Sequence, residues 1–470
     1  MARNKKREIK TDKIVKVKIL ISISFMMNSI IATFVVGYVF IVLENLIKVN
    51  KAAIALFMAV ACWTLYVMAN PGISAEEVFL PYVGETCETI LFLMGAMAIV
   101  EVVDTNGGFN FVSRYLHTKN LKVLLWEIVA VTFVLSAVLD NMTTTIVMVM
   151  ILRKLIGDRE QRLMLAGVVV LAANAGGAFS PIGDVTTIML WIKGCVSATG
   201  IIDSIIIPSV VSVLVPAIIV SFQLKGAAIA PEAPKSAEER IAMSQSDQFV
   251  FSRRIRMCIF ALGVGGLVLV PVFHTVTGLP PFVGILALLS VLWIFTEVAL
   301  HRRHKIAKTD KKVHVSSILH KIDMTTILFF LGILLAVGAL GQTGALTLFG
   351  DWLDKTFHGD VYVVNGIIGV LSSVVDNVPL VASAMGMYNI EPATAVGDLQ
   401  NFVQDGDFWN LLAYCAGTGG SLLVVGSAAG VIVMGLERMT FAWYLRRISW
   451  LAFAGYLAGI VSYWIVKAIA

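Results

Sequence analysis

The sequence predicts an all-α polytopic membrane protein made of two inverted repeats, each with a re-entrant helical hairpin and a broken transmembrane helix. Three observations lead there. Of the 470 residues, 58% are hydrophobic and only 14% charged, and the charges gather between long apolar runs. A bilayer core takes about 20 apolar residues per helix, and only helices or closed barrels satisfy backbone groups in lipid. These runs are too long for barrel strands. The two halves of the chain also match each other block by block. Finally, polar and glycine-rich stretches interrupt several apolar runs at their centres.

Residues 1–30 begin with Lys5, Lys6, Arg7, Lys10, Lys13, Lys16 and Lys18 ahead of "ILISISFMM". They read as a signal-like segment or an extra helix, and the lack of a small-x-small cleavage site favours an uncleaved one. The first repeat, residues 31–224, holds apolar spans at Ile31–Ile47, Ala52–Ala69, Thr86–Val103, Leu163–Ile192 and Ile201–Phe222, with a polar-centred stretch at Val123–Leu155. A cytoplasmic linker, residues 225–256, follows and contains "APEAPKSAEERIAMSQSDQ". The second repeat, residues 257–470, holds Cys258–Phe273, Phe282–Leu300, Met324–Leu346, Trp409–Leu436 and Ile448–Val466, with a polar-centred stretch at Val361–Tyr388. His301, His304, His314 and His320 fall in or beside a basic loop and read as a solvated stretch. No soluble stretch is large enough for an enzyme. The net charge of +5 reflects basic loops and implies no nucleic-acid partner. The five cysteines have neither metal-site nor disulfide spacing, and no cofactor is expected.

The duplication rests on three blocks in the same order. "TILFLMGAMAIVEVVDTNGG" from Thr89 matches "TILFFLGILLAVGALGQTGA" from Thr326, and "LSAVLDNMTTTIVMV" from Leu135 matches "LSSVVDNVPLVASAM" from Leu371. "AANAGGAFSPIGD" matches "CAGTGGSLLVVGS", setting Gly176 and Gly177 against Gly419 and Gly420. Basic residues mark cytoplasmic loops. Arg114, Lys119, Lys122, Arg153, Lys154, Arg159 and Arg162 flank the first Asp-Asn segment at both ends. Acidic residues, from Asp351 to Asp360 and from Glu391 to Asp407, flank the second. A segment whose two ends face one side is a hairpin, and hairpins entering from opposite sides make inverted repeats, with a binding site expected near the midplane.

Chemistry concentrates at those centres. Asp140 and Asn141 sit between two apolar arms and are followed by Thr143, Thr144 and Thr145. Asp376 and Asn377 sit likewise, preceded by Ser372 and Ser373. Leu163–Ile192 is 30 residues, or about 45 Å as one helix, well beyond a core of roughly 30 Å. Gly176, Gly177, Pro181 and Gly183 disfavour continuous helix there, so two half-helices with an unwound centre are expected, bracketed by Asn174 and Asp184. Thr418, Ser421 and Ser427 occupy the repeat-related places. Three aspartates at depth, with no Arg or Lys in the motifs, suit a hard cation held by carboxylate, amide, hydroxyl and carbonyl oxygens. Asp140, Asp184 and Asp376 are the expected metal ligands. Burial disfavours a charged carboxylate, so a proton and a metal ion compete for it, which outlines an exchange mechanism.

Plainer roles stand beside these. Asp140 and Asp376 could cap the second hairpin arms, Thr186 and Thr187 could be helix caps, and Asn174 could bond only unwound backbone. Asp184 faces Ser427 in the other half, so a purely shared structural role does not account for its carboxylate. Glu101 and Asp104 suit an interface, and Glu127 reads either as packed or as a proton relay. An intramembrane aspartyl protease would need a Gly-x-Gly-Asp pattern, whereas the chain reads "SPIGD".

"LDNMTTTIVMVMILRKL", "ANAGGAFSPIGDVTTIMLW" and "DNVPLVASAMGMY" resemble the NhaD-type sodium/proton antiporters, relatives of arsenite permeases and divalent-anion/sodium symporters. The likeness covers nearly the whole chain after about residue 31. It implies a homodimer in which a transport domain moves elevator-like against a scaffold. It also implies exchange of Na⁺ or Li⁺ for H⁺ in a bacterial inner (cytoplasmic) membrane, or in an organelle envelope. It carries Asp140, Asn141, Asn174, Asp184, Thr186, Thr187, Ser372, Asp376, Asn377 and Ser421 over as ion-site residues, to which Thr143 and Thr418 are added by position. Pro379 stands where the first hairpin has Thr143, so the two sites are not expected to be equivalent. An anion or arsenite carrier of the same fold is the alternative.

Overall fold

The computed structural model describes residues 27–70, 72, 74–111, 116, 118, 120–224, 251–307 and 322–469. Most of the basic N-terminal segment, most of the linker, and His314 and His320 lie outside the described residues. Among the described residues the regular elements are helical, apart from one isolated bridge between Glu391 and Val403. Eight of these helices are long and apolar enough to cross a membrane, which makes the chain a multi-pass membrane protein.

The helices, in order, are α1 (Met27–Val42), α2 (Lys51–Ala69), α3 (Ala75–Thr105), α4 (Leu121–Ser136), α5 (Asn141–Leu155), α6 (Arg159–Ala178), α7 (Val185–Ile192), α8 (Ala198–Gln223) and α9 (Arg253–Thr277). There follow α10 (Pro281–Ala307), α11 (Met324–Gln342), α12 (Ala345–Phe357), α13 (Val361–Leu371), α14 (Asn377–Met387), α15 (Asp407–Gly419), α16 (Ala428–Glu437), α17 (Phe441–Arg447) and α18 (Ser449–Ile469). The expected span Ile31–Ile47 is a helix to Val42 and then a separate turn, Glu44–Ile47, closed by Lys48 at φ +55°. Thr86–Val103 is the inner part of the longer α3. Met324–Leu346 stops at Gln342, where Thr343 and Gly344 turn the chain into α12.

The chain divides into two compact units, and each draws on both halves of the sequence. One comprises Met1–Ile90, Asp323–Lys355 and Ala382–Tyr388. In it α2 packs along α11, where Gly332 lets the two backbones approach at Ala55 and the Trp63 indole donates to the Leu335 carbonyl at 2.8 Å. Gln342 donates to the Tyr82 hydroxyl at 2.7 Å, giving each polar tip a partner.

The other unit comprises Leu91–Ile322, Thr356–Val381 and Asn389–Ala470, and it holds the residues singled out above. α4 and α5 form a hairpin packed on α6; α13 packs on α15; α6 also contacts α15 and α16. α8 lies along α18, with Gly455 against the Ser212 carbonyl and Gly459 against that of Pro208. The run Leu163–Ile192 is broken at 179–184, a stretch that holds Pro181 and Gly183, while α6 continues through Gly176 and Gly177 to Ala178. Gly176 stays helical because its missing Cβ lets α6 approach the Phe133 carbonyl of α4, and a Cβ there would collide with that oxygen. Pro181 lies in the interruption, where helix continuation would cost about 3 kcal/mol. Trp409–Leu436 is broken in the same way between Gly419 and Ala428.

Candidate functional site

Two half-helices begin at the site. Asp184 caps α7 with φ −145° and ψ 153°, and Ser427 caps α16 with φ −143° and ψ 153°. The sequence alignment of these two residues therefore corresponds to one backbone geometry. Ser427 Oγ accepts from the Gly430 N–H at 3.2 Å. The Asp184 backbone is tied to Thr187, whose Oγ1 accepts from the Asp184 N–H at 3.2 Å and lies 2.9 Å from the Asp184 carbonyl. Thr186 instead turns its hydroxyl onto the carboxylate, Oγ1 to Oδ2, at 3.0 Å.

Two hairpin tips close on these caps. Asp140 caps α5: Oδ1 accepts from the Thr143 N–H at 2.6 Å and Oδ2 from the Thr143 hydroxyl at 3.0 Å. Its backbone lies at φ +114° and ψ 159°, a region that essentially only glycine adopts, so the tip is strained. Asn377 donates its amide to Asp184 Oδ2 at 2.9 Å, bringing the second hairpin onto the first broken helix. Asp376 accepts weakly from the Val378 N–H at 3.4 Å. Asp140 and Asp376 both lie close enough to Asp184 to interact with it electrostatically. Asn141 donates to Asn174 Oδ1 at 3.1 Å, and Asn174 in turn donates to Ser421 Oγ at 2.8 Å and Ser427 Oγ at 2.9 Å. Asp184 is 2% exposed, and Asn141, Asn174, Asn377, Ser421 and Ser427 are likewise buried.

Thus Asp140, Asn141, Thr143, Asn174, Asp184, Thr186, Asp376, Asn377 and Ser421 share one neighbourhood. Thr187 braces the cap. Ser372 donates to the Ala416 carbonyl at 2.8 Å, and Thr418 to the Tyr414 carbonyl of its own helix at 2.6 Å. The Ser372 bond has a repeat-related twin, Ser136 to the Ala173 carbonyl at 2.6 Å. Gly419 likewise meets the Gly369 carbonyl as Gly176 meets that of Phe133.

Sequence reasoning passed over Ser136, although alignment with Ser372 marks it. It also passed over Tyr444, which donates to the Ser421 carbonyl at 2.8 Å, and it gave no role to Thr144, whose buried hydroxyl has no hydrogen-bond partner. Glu437 carried no signal, because it is separated in sequence from its partners. Its side chain, 1% exposed, accepts from Arg153 Nε and Arg162 Nε, both at 2.7 Å.

The groups bonded to the Asp140 and Asp184 carboxylates are neutral donors, namely Thr143, Thr186 and Asn377. The arrangement offers buried carboxylate, hydroxyl and amide oxygens, a donor set for a hard cation or a proton.

Comparison with known proteins gives the same direction. Residues 38–403 match the citrate transporter family model. The chain is 44% identical over 433 residues to sodium/proton antiporter 1 of Arabidopsis thaliana, covering 92% of this chain and 71% of that protein. It is 42% identical to sodium/proton antiporter 2 of the same plant, covering 92% and 97%. It is 30% identical to the Na⁺/H⁺ antiporter NhaD of Halomonas elongata, covering 93% and 88%. The chain belongs to the NhaD-type ion transporters. In this NhaD-type chain the matched stretch takes in both hairpins and the first broken helix, α6–α7, and stops before the second, α15–α16.

Proposed function

We propose that the protein is a secondary antiporter that exchanges Na⁺ or Li⁺ for H⁺ by alternating access, with Asp184 at the centre of its cation site. The observation that carries this is the buried Asp184 carboxylate, held by Thr186 and Asn377 at the start of a half-helix with two further carboxylates, Asp140 and Asp376, nearby. Such a group needs a positive partner at depth, and a proton and an alkali cation are alternatives for that place. Relatives named as sodium/proton antiporters support the same exchange. The twin bonds of Ser136 and Ser372, and the matching caps Asp184 and Ser427, support two inverted repeats with re-entrant hairpins. The moving body comprises the hairpins and broken helices, working within a homodimer in a bacterial inner membrane or an organelle envelope.

The family description, citrate transporter, favours a second reading as an anion carrier. Half-helix N-termini suit anions. Here, however, the two N-termini are closed by the protein's own Asp184 and Ser427, and three carboxylates would repel an anion.

Everted vesicles from cells lacking their own antiporters test the choice. With the interior acidified by respiration, adding Na⁺ or Li⁺ should alkalinise it, as read by a pH dye, while K⁺ should not. A response to citrate or arsenite with none to any alkali cation would establish the anion carrier.

A further inference from the structure

The repeat correspondence offers two places for a cation. At the first, the hairpin-tip amide of Asn377 meets the cap of α7, Asp184. The counterparts of these residues are Asn141 and Ser427, so the second place lies between the α4–α5 tip and the cap of α16. There the contact is not direct. Asn174 stands between them, accepting from Asn141 and giving both amide hydrogens to the hydroxyl oxygens of Ser421 and Ser427. Its own counterpart in the second half is Gly417, which has no side chain to interpose.

The chemistry of the two places differs accordingly. A cation at the second would need Ser421 and Ser427 as ligands, but both oxygens already face an N–H₂ group. That group carries partial positive charge at hydrogen-bond distance and is fully buried. No carboxylate caps α16, whereas α7 has Asp184, and the carboxylate beside Asn141, that of Asp140, accepts through both oxygens from Thr143 of its own hairpin. Neutralising a metal ion at membrane depth requires such a charge.

We infer that each protomer binds a single transported cation, at the Asp184–Asn377 place, and that the Asn174 amide nitrogen stands in for a cation at the repeat-related place and keeps it closed. This rests on the antiporter reading and adds the number of sites to it.

Equilibrium binding of radiolabelled sodium to the purified full-length protein, together with the sodium dependence of exchange in proteoliposomes, tests it. The expected result is one sodium per protomer at saturation and a Hill coefficient near one. Asn174→Asp turns the blocking donor into an acceptor facing Ser421 and Ser427, so it should raise the bound sodium towards two per protomer. Two sodium ions per wild-type protomer, with exchange intact, would overturn the single site but keep the antiporter. A folded Asn174→Asp protein still binding one would remove the role given to Asn174. Absence of both sodium binding and exchange would remove the antiporter reading itself.

Discussion

Asp140 sits in a backbone conformation that costs a non-glycine residue about 1–3 kcal/mol. The residue that would remove the strain, glycine, would also remove the cap and the charge. Asp140→Gly should therefore change stability by no more than about 2 kcal/mol, since relief of strain offsets a lost cap of about 1 kcal/mol. Exchange should collapse in the same variant, and thermal unfolding in detergent read beside vesicle exchange separates the two effects. Thr186 and Thr187, equivalent in sequence, divide their work. Thr186→Val removes a hydrogen bond to the carboxylate, worth about 1 kcal/mol, so the sodium needed for half-maximal exchange should change roughly fivefold. Thr187→Val strips only the backbone brace, so it should lower the unfolding temperature and leave sodium affinity near wild type. A reversed pattern in the two titrations would mean that the ligand and the cap have been exchanged. Composition and motif spacing made these residues legible as candidates. Which threonine faces the carboxylate was not legible, because it depends on where the first turn of α7 starts.

The helix breaks were legible from length against bilayer thickness, and Pro181 and Gly183 marked the first of them, but its near edge was not. Gly176 and Gly177 read as breakers, yet α6 runs through them because close packing on α4 holds it. The missing Cβ, not freedom of the backbone, is what the sequence had encoded. Gly419→Ala should consequently cost about 1–3 kcal/mol and depress exchange, because its Cβ would meet the rigid Gly369 carbonyl. Gly435→Ala, in α16 with open space around it, should be neutral or stabilising by up to about 1 kcal/mol. Thermal unfolding of the pair checks the contrast. The far end of α16 is held by Glu437 between two arginines, of which Arg162 is 19% exposed and Arg153 45%. Breaking a buried pair by removing one partner costs about 3 kcal/mol or more, and water substitutes better for the exposed partner. Arg162→Ala should therefore destabilise more than Arg153→Ala, as denaturation midpoints will show. Arg153 and Arg162 had read only as topology markers, since their partner lies in the other half of the chain.

At the scale of the molecule, the block-by-block match of the two halves was legible in the sequence, while the way the halves pack was not. The aligned blocks find each other's equivalents in Ser136 and Ser372, in Gly176 and Gly419, and in Asp184 and Ser427. Yet neither compact unit is a repeat: each draws on both halves, and within one of them Asn377 of the second half bonds to Asp184 of the first. Contacts between distant segments of this kind have no local signal. The same crossing places one carboxylate, Asp184, where both halves converge. The most direct measurement compares wild-type protein with Asp184→Asn in proteoliposomes, following sodium-driven proton movement over a range of sodium concentrations. Asparagine keeps the size and the capping oxygen, so the variant should elute and unfold like wild type while sodium-dependent exchange falls to background. An equally stable Asp184→Asn protein that exchanges sodium at wild-type affinity would show that the cation is carried elsewhere.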